Sequence, residues 1–323
     1  MGESQRKRLR MWFLAAVAAT LVSGEISRAQ DGTEAPPAEG ETALFRAQVD
    51  RVVLYAAVFD RQKNLVTGLP QESFRVYQDG KLQQLSGFSN HDIPVSMGIA
   101  VDSSASMIEM RAAVNAAALA LVRASNPADE VFVVDFKDTV ELTQDFTNDI
   151  AALEQGLSEV RMWGGTAVRD AMKISFDHLR NGAKEKRVLV VITDGEDDSS
   201  DIGQDELIRQ LRASDVTIYT IGLLSDIPSS KRRNAQRFLE EAAQVSGGAS
   251  YFPGSVAAVE ALAAKIAHDI RNQYILEFPV PLDNKPGYHP LRVEAVSQGG
   301  RKLNVRTRPG YIYEPSGEGP AVR

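Results

Sequence analysis

Apolar positions change rhythm three times along this chain. Short strand-length blocks come first, at Val52 to Phe59, Phe74 to Gln78 and Lys81 to Phe88, and Asp79-Gly80 between the last two reads as a two-residue hairpin turn, because both positions tolerate positive φ. Residues 93–272 then alternate strand-like and helix-like segments. Apolar runs at Met97 to Val101, Glu130 to Phe136, Val188 to Ile192 and Val216 to Leu224 predict strands covered on both faces. Helical spacing predicts helices over Met107 to Val122, Asp149 to Val160, Ala167 to Arg180, Asp205 to Ala213, Lys231 to Val245 and Val256 to Ile270. The alternation implies an α/β fold: a Rossmann-like, doubly wound, mostly parallel sheet with helices on both faces. Val140 to Phe146, a short turn after its predecessor, is expected as an antiparallel edge strand.

Beyond Asn272 the β rhythm returns, at Tyr274 to Val280, Leu291 to Val296 and Lys302 to Arg306. Neither terminal β segment, 45–92 or 273–313, holds a secure core alone. The expectation is one β-sandwich built from both, with the middle domain inserted between its halves. Two separate appendages would leave thin cores and exposed edges.

The chemistry concentrates where the first middle strand ends. Asp102-Ser103-Ser104-Ala105-Ser106 puts a carboxylate and two hydroxyls on a strand-to-helix turn, which in open α/β sheets faces the ligand crevice. One carboxylate with neutral hydroxyls suits magnesium, a hard cation that takes oxygen ligands and keeps some of its waters. Gly164-Gly165-Thr166 offers a third hydroxyl from a flexible loop, and Asp194 ends another apolar run. Taken singly, each residue has a plainer reading: Ser104, Ser106 and Thr166 as helix N-caps, Asp194 as a turn residue before glycine. Their joint placement after predicted strands favours a metal site, and capping does not exclude it.

These residues resemble the von Willebrand factor A-type domain family. Asp102, Ser104 and Ser106 match its metal-ion-dependent adhesion site motif (MIDAS), Thr166 in Gly-Gly-Thr-Ala its second segment, and Asp194 in Ile-Thr-Asp-Gly its third. The resemblance spans about residues 93–272. It implies that the two serines and the threonine touch the metal, the aspartates often acting through water, and that the cation is magnesium, with manganese or calcium as alternatives. The wider layout is similar to the secreted acidobacterial von Willebrand factor A-related family, through Val66-Thr67-Gly68-Leu69, Phe74 to Gly80, Gly287 to Leu291 and Arg306 to Tyr311. Lys63-Asn64 stands where such proteins tend to have a glycine.

Composition narrows the function. The chain has 323 residues, 43% of them hydrophobic, enough for a sizeable core and two domains. Arg6, Lys7, Arg8 and Arg10 precede the apolar stretch Met11 to Val22, and Ser27-Arg28-Ala29 supplies small residues, so 1–29 reads as a signal peptide and 30–44 as a disordered linker. Cleavage would remove five basic and two acidic residues from a chain whose formal charge is already −7. Such acidity argues against nucleic-acid binding. With no cysteine there are neither disulfides nor a lipobox anchor; no second apolar span appears, and 314–323 reads as a tail.

Other clusters carry less. Glu196, Asp197, Asp198 and Asp201 suggest either a second cation or, as the favoured reading, a solvated acidic loop. Trp163 stands either on the rim of the site or packed in its loop. His91, His178, His268 and His289 lack metal spacing. No phosphate loop, H-E-x-x-H helix or nucleophile elbow is present. The sequence therefore points to a secreted or periplasmic adhesion or scaffold module rather than an enzyme, one that captures a partner protein's Asp or Glu through the cation. The alternatives are a structural cation, or a metal-assisted hydrolase using Asp102, Asp194 and Glu196.

Overall fold

The computed structural model describes residues 51–158, 164–195 and 197–314. The expected leader, the linker, residues 45–50, Trp163, Glu196 and residues 315–323 of the tail lie outside the described residues. The described residues belong to one compact unit.

Four strands come first: β1 (Arg51–Phe59), β2 (Phe74–Gln78), β3 (Lys81–Gln83) and β4 (Gly87–Ser89). Asp79 and Gly80 join β2 to β3 with φ of 52° and 78°, the positive values a tight hairpin needs. The single strand expected over Lys81 to Phe88 is in fact two, and they lie on opposite edges of the sheet. Leu85 leaves the hairpin to pack on the core, and Ser86 N then donates to Glu277 O at 2.8 Å.

The middle region runs β5 (Val95–Asp102), α1 (Arg111–Ala124), β6 (Glu130–Phe136), β7 (Val140–Thr147), α2 (Ile150–Ser158), α3 (Val168–His178), β8 (Lys186–Thr193), α4 (Gln204–Ala213), β9 (Thr217–Gly222), α5 (Ser229–Ser246), β10 (Ser250–Tyr251) and α6 (Val259–Arg271). The strand order is β10-β9-β8-β5-β6-β7. All neighbours are parallel except β7, which pairs antiparallel with β6 at the edge. Every residue of β5 is buried. Its alternate side chains feed two cores: Met97, Ile99 and Val101 face α1, α2 and α6, whereas Ala100 faces α3, α4 and α5. This is the doubly wound α/β arrangement that the alternating pattern implies. The chain leaves β5 toward β6 and later returns to β8 on its other side, so the sheet reverses direction between β5 and β8. A crevice opens at the carboxyl ends of strands at such a point.

The last strands are β11 (Tyr274–Pro279), β12 (Gly287–Val296), β13 (Lys302–Arg306) and β14 (Gly310–Tyr313), the last of which the sequence pattern did not reveal. With the first four they make one antiparallel path, β3-β2-β12-β13-β1-β11-β4, with β14 beside β12. β1 pairs with β11 through Arg51 to Ala56 and with β13 through Ala57 to Phe59. The sheet thus curls around a single core containing Leu54, Val76, Leu276 and Phe278. His289 has a structural place here, bridging the Asp79 carboxylate and the Lys285 carbonyl at 2.7 Å each.

Polar groups join the two sheets. Arg306 of β13 pairs with Asp269 of α6, whose side chain is 7% exposed. Lys186 donates to Ile270 O and lies 5.2 Å from the Tyr55 ring centroid. Burial brings the Lys186 ammonium down to about 8, against the pull of Asp269 and its neighbours. No helix among the described residues is long and apolar enough to cross a membrane.

Candidate functional site

Asp102 is the last residue of β5 and is fully buried. Its carboxylate is fixed from two sides: Ser104 N donates to Oδ1 at 2.9 Å and Thr193 Oγ1, from the adjacent end of β8, donates to Oδ2 at 2.6 Å. A string of oxygens continues from there. Ser104 Oγ lies 3.1 Å from Ser106 Oγ, which donates to Asp194 Oδ1 at 3.0 Å. Thr166 Oγ1 sits 3.4 Å from the position a Cβ on Gly195 would take, beside the residue that follows Asp194. All five predicted residues therefore come to the ends of β5 and β8. Asp102, Ser104, Thr166 and Asp194 are buried, whereas Ser106 is exposed.

The hydroxyls are not spent on helix caps. Ser104 begins a short 3-10 turn without a side-chain capping bond, and the N-cap of α3 is Ala167, not Thr166. Burial pushes the Asp102 carboxyl up to about 6; the bonds from Thr193 and Ser104 pull it down, and the nearby charge of Asp194 adds to the rise. Two carboxylates and three hydroxyls form an all-oxygen donor set that fits a hard divalent cation. Among the described residues, no three His, Cys, Asp or Glu side chains gather as an alternative metal site.

Supporting residues that sequence reasoning missed come from the next strand. Ser103 Oγ donates to Asp135 of β6, and Ser103 N to Phe136 O at 2.7 Å. Arg111, at the start of α1, donates to Asp135 Oδ2 at 2.8 Å and to Leu157 O at 3.0 Å. Burial raises the Asp135 carboxyl, while Ser103 and Arg111 oppose the rise. The one sequence signal was a lone carboxylate inside the apolar run Val131 to Phe136.

The acidic stretch after Asp194 keeps Asp198 and Asp201 exposed, as a solvated loop would, but Asp197 and Asp198 are also tied into the fold. Thr166 N donates to Asp198 Oδ1 at 2.8 Å, while Asp198 N and Ser199 N donate back to Thr166 O at 3.0 and 3.2 Å. Asp197 accepts from Arg169 N at 2.6 Å and pairs with its guanidinium at 3.1 Å. Asp170 takes the amides of Asp201 and Ile202. These carboxylates clamp the Thr166 loop to the Asp194 loop. The clamp needs Gly165, where a Cβ would lie 2.4 Å from Ser199 Oγ and 2.6 Å from Asp198 Oδ1. Gly164 before it has φ +84°, a value that suits glycine. Gly165→Ala is expected to displace Thr166 and lower magnesium affinity about tenfold, the scale of losing a residue that orients a ligand. Calorimetric titration checks this, and an unchanged affinity would remove Thr166 from the site.

A doubly wound sheet with an oxygen-rich turn at its reversal point defines the class of domain, and sequence comparison agrees with it. Residues 97–196 match the family model of the von Willebrand factor type A domain, so the chain contains such a domain. An uncharacterized protein of Borreliella burgdorferi is 28% identical over 98 residues, covering 29% of this chain and 29% of that protein; the match thus spans under a third of that curated relative's length. Three solved structures are also similar. The von Willebrand factor type A protein from Catenulispora acidiphila has 12% identity and a TM-score of 0.47, covering 84% of this chain and 76% of that one. An aerotolerance-related membrane protein from Bacteroides fragilis has 19% identity and a TM-score of 0.46, covering 55% and 98%. Proximal thread matrix protein 1 from the mussel byssus, with a zinc-occupied MIDAS motif, has 16% identity and a TM-score of 0.46, covering 55% and 48%.

Proposed function

We propose that this chain is a secreted or periplasmic binding module that captures an Asp or Glu side chain of a partner protein through a divalent cation, magnesium first, with manganese or calcium as alternatives. The observation that carries the reading is the oxygen string Asp102, Ser104, Ser106, Asp194, buried at both ends and open to solvent at Ser106. Ser104, Ser106 and Thr166 would hold the cation, together with Asp102 and Asp194. Bound there, it would supply positive charge that the protein's own ligands do not fully cancel. Asp102 is oriented by Thr193 and by Ser104 N. Ile108, two residues beyond Ser106 and 59% exposed, offers an apolar contact on the rim.

The test is a pulldown from the native extracellular fraction with magnesium and with chelator, beside the melting temperature in both. The reading requires a partner that is lost in chelator and lost with Ser106→Ala while the fold persists. Retention of the partner in chelator would sink it. Burial of four of the five donors favours a second reading, a cation that only stabilises the fold. That reading expects a large fall in melting temperature on chelation, without loss of a partner.

A further inference from the structure

Helix α5 starts at the same sheet edge as the candidate site. It follows β9, whose exit is tied to the Asp194 turn by Leu223 N donating to Thr193 O at 2.8 Å. On a chain of net charge −7, its early turns carry Lys231, Arg232, Arg233 and Arg237, all exposed, with no acidic residue before Glu240. Cations there oppose the helix macrodipole, so helix stability does not explain them. Arg232 is engaged by the loop before the helix, donating to Ser225 O at 2.7 Å and Ile227 O at 3.1 Å. Arg233 and Arg237 stand one turn apart on one face, and Arg237 leans back along the helix to Arg233 O and Asn234 Oδ1.

A cleft of about 500 Å³ lies between this helix and Gly195, the residue that follows Asp194. Gly195 and Asp197 wall it on one side, and Arg237 and Phe238 on the other. Its acids are already matched: Asp197 by Arg169, and Glu241 by Gln204 at 3.2 Å and Arg212 at 3.9 Å. A carboxylate-rich chain leaving the site past Gly195 would come within reach of Arg237 in the cleft wall and of Arg233, one turn nearer the start of α5.

We infer that the cleft and the basic face of α5 form a docking surface for an acidic segment of a protein partner, continuing from the residue held at the strand-end site. This rests on the metal-dependent reading above and extends it from one carboxylate to a run of them. Opposite charges placed this way act mainly on specificity and association rate, and they are weakened by salt.

Labelled hexaglutamate is the probe, followed by fluorescence anisotropy in magnesium, with hexaglutamine and a six-residue oligothymidylate as comparators. Magnesium affinity is measured separately by calorimetry. The double variant Arg233→Glu/Arg237→Glu is expected to weaken hexaglutamate binding about tenfold or more with magnesium affinity unchanged. Reversal at these exposed sites favours the helix dipole, so the variant should fold, and its circular dichroism checks that. Hexaglutamate binding equal to that of the parent chain, or equal binding of hexaglutamine, overturns the docking surface and leaves the metal site standing. Preference for oligothymidylate would assign the face to a nucleic acid and overturn it as well. If hexaglutamate binds by way of α5 but ignores chelation and Ser106→Ala, the docking surface survives and the metal-dependent reading fails.

Discussion

Asp194→Ala should lower magnesium affinity roughly a hundredfold or more while the sheets stay folded, given that loss of an orienting residue alone costs 10–100-fold. Asp194 is 4% exposed and follows β8, where it accepts the Ser106 hydroxyl. Ser106 is exposed, so its released hydroxyl can turn to water. Asp102→Ala has a different cost. In a fully buried place it strips acceptors from the Thr193 hydroxyl and the Ser104 amide, and each buried group left without a partner costs about 1–3 kcal/mol. Calorimetric titration with thermal melting separates the two: a lost cation with a retained melting temperature for Asp194→Ala, both reduced for Asp102→Ala. Magnesium affinity left intact in Asp194→Ala would remove this residue from the site.

Arg306→Ala should destabilise the chain by about 3 kcal/mol, the lower end for breaking one partner of a buried ion pair. That corresponds to a fall in melting temperature of roughly 6–12 °C. Arg306 is 24% exposed, Asp269 7%, and the guanidinium also covers the rings of Phe59 and Tyr219, with centroids at 5.1 and 5.7 Å. Removing it strands a buried carboxylate and uncovers two aromatic rings at the junction of the sheets. An apolar pair, Arg306→Met with Asp269→Leu, should recover much of the loss, because it leaves no unpaired charge. Differential scanning calorimetry of both variants checks this. A drop in Arg306→Ala worth less than about 1 kcal/mol would show that the pair is solvent-screened.

The central sheet was legible because its strands are apolar on both faces. Met97 to Val101 and Val188 to Ile192 have no other stable place than a covered parallel sheet. Asp102 and Asp194 could be placed together because each ends such a run, and strand ends share an edge. What stayed hidden depends on strand order. Asp135 and Arg111 support the Ser103 turn only because β6 lies beside β5, which no local spacing states. Asp197 and Asp198 read as solvated acids, since their partners Arg169 and Thr166 sit about 30 residues earlier, in another loop. At the margins, the break within Lys81 to Phe88 falls where consecutive Gln83 and Gln84 interrupt the alternation, a single out-of-step residue that is easily passed over in so short a run. The pairing of β12 with β2 joins residues more than 200 positions apart, such as Leu291 and Gln78.

That separation fixes an order of assembly. β1 emerges first, yet its neighbours in the curled sheet, β11 and β13, are made only after α6 is complete. The parallel sheet has all of its strands by Tyr251, so it can close while β1 and β2 still lack their partners from the end of the chain. Closure of the outer sheet then joins segments more than 200 residues apart, and the intervening domain, once folded, shortens that loop. During synthesis, the strands leading into the α/β domain therefore wait, edges open, on the domain they will later brace.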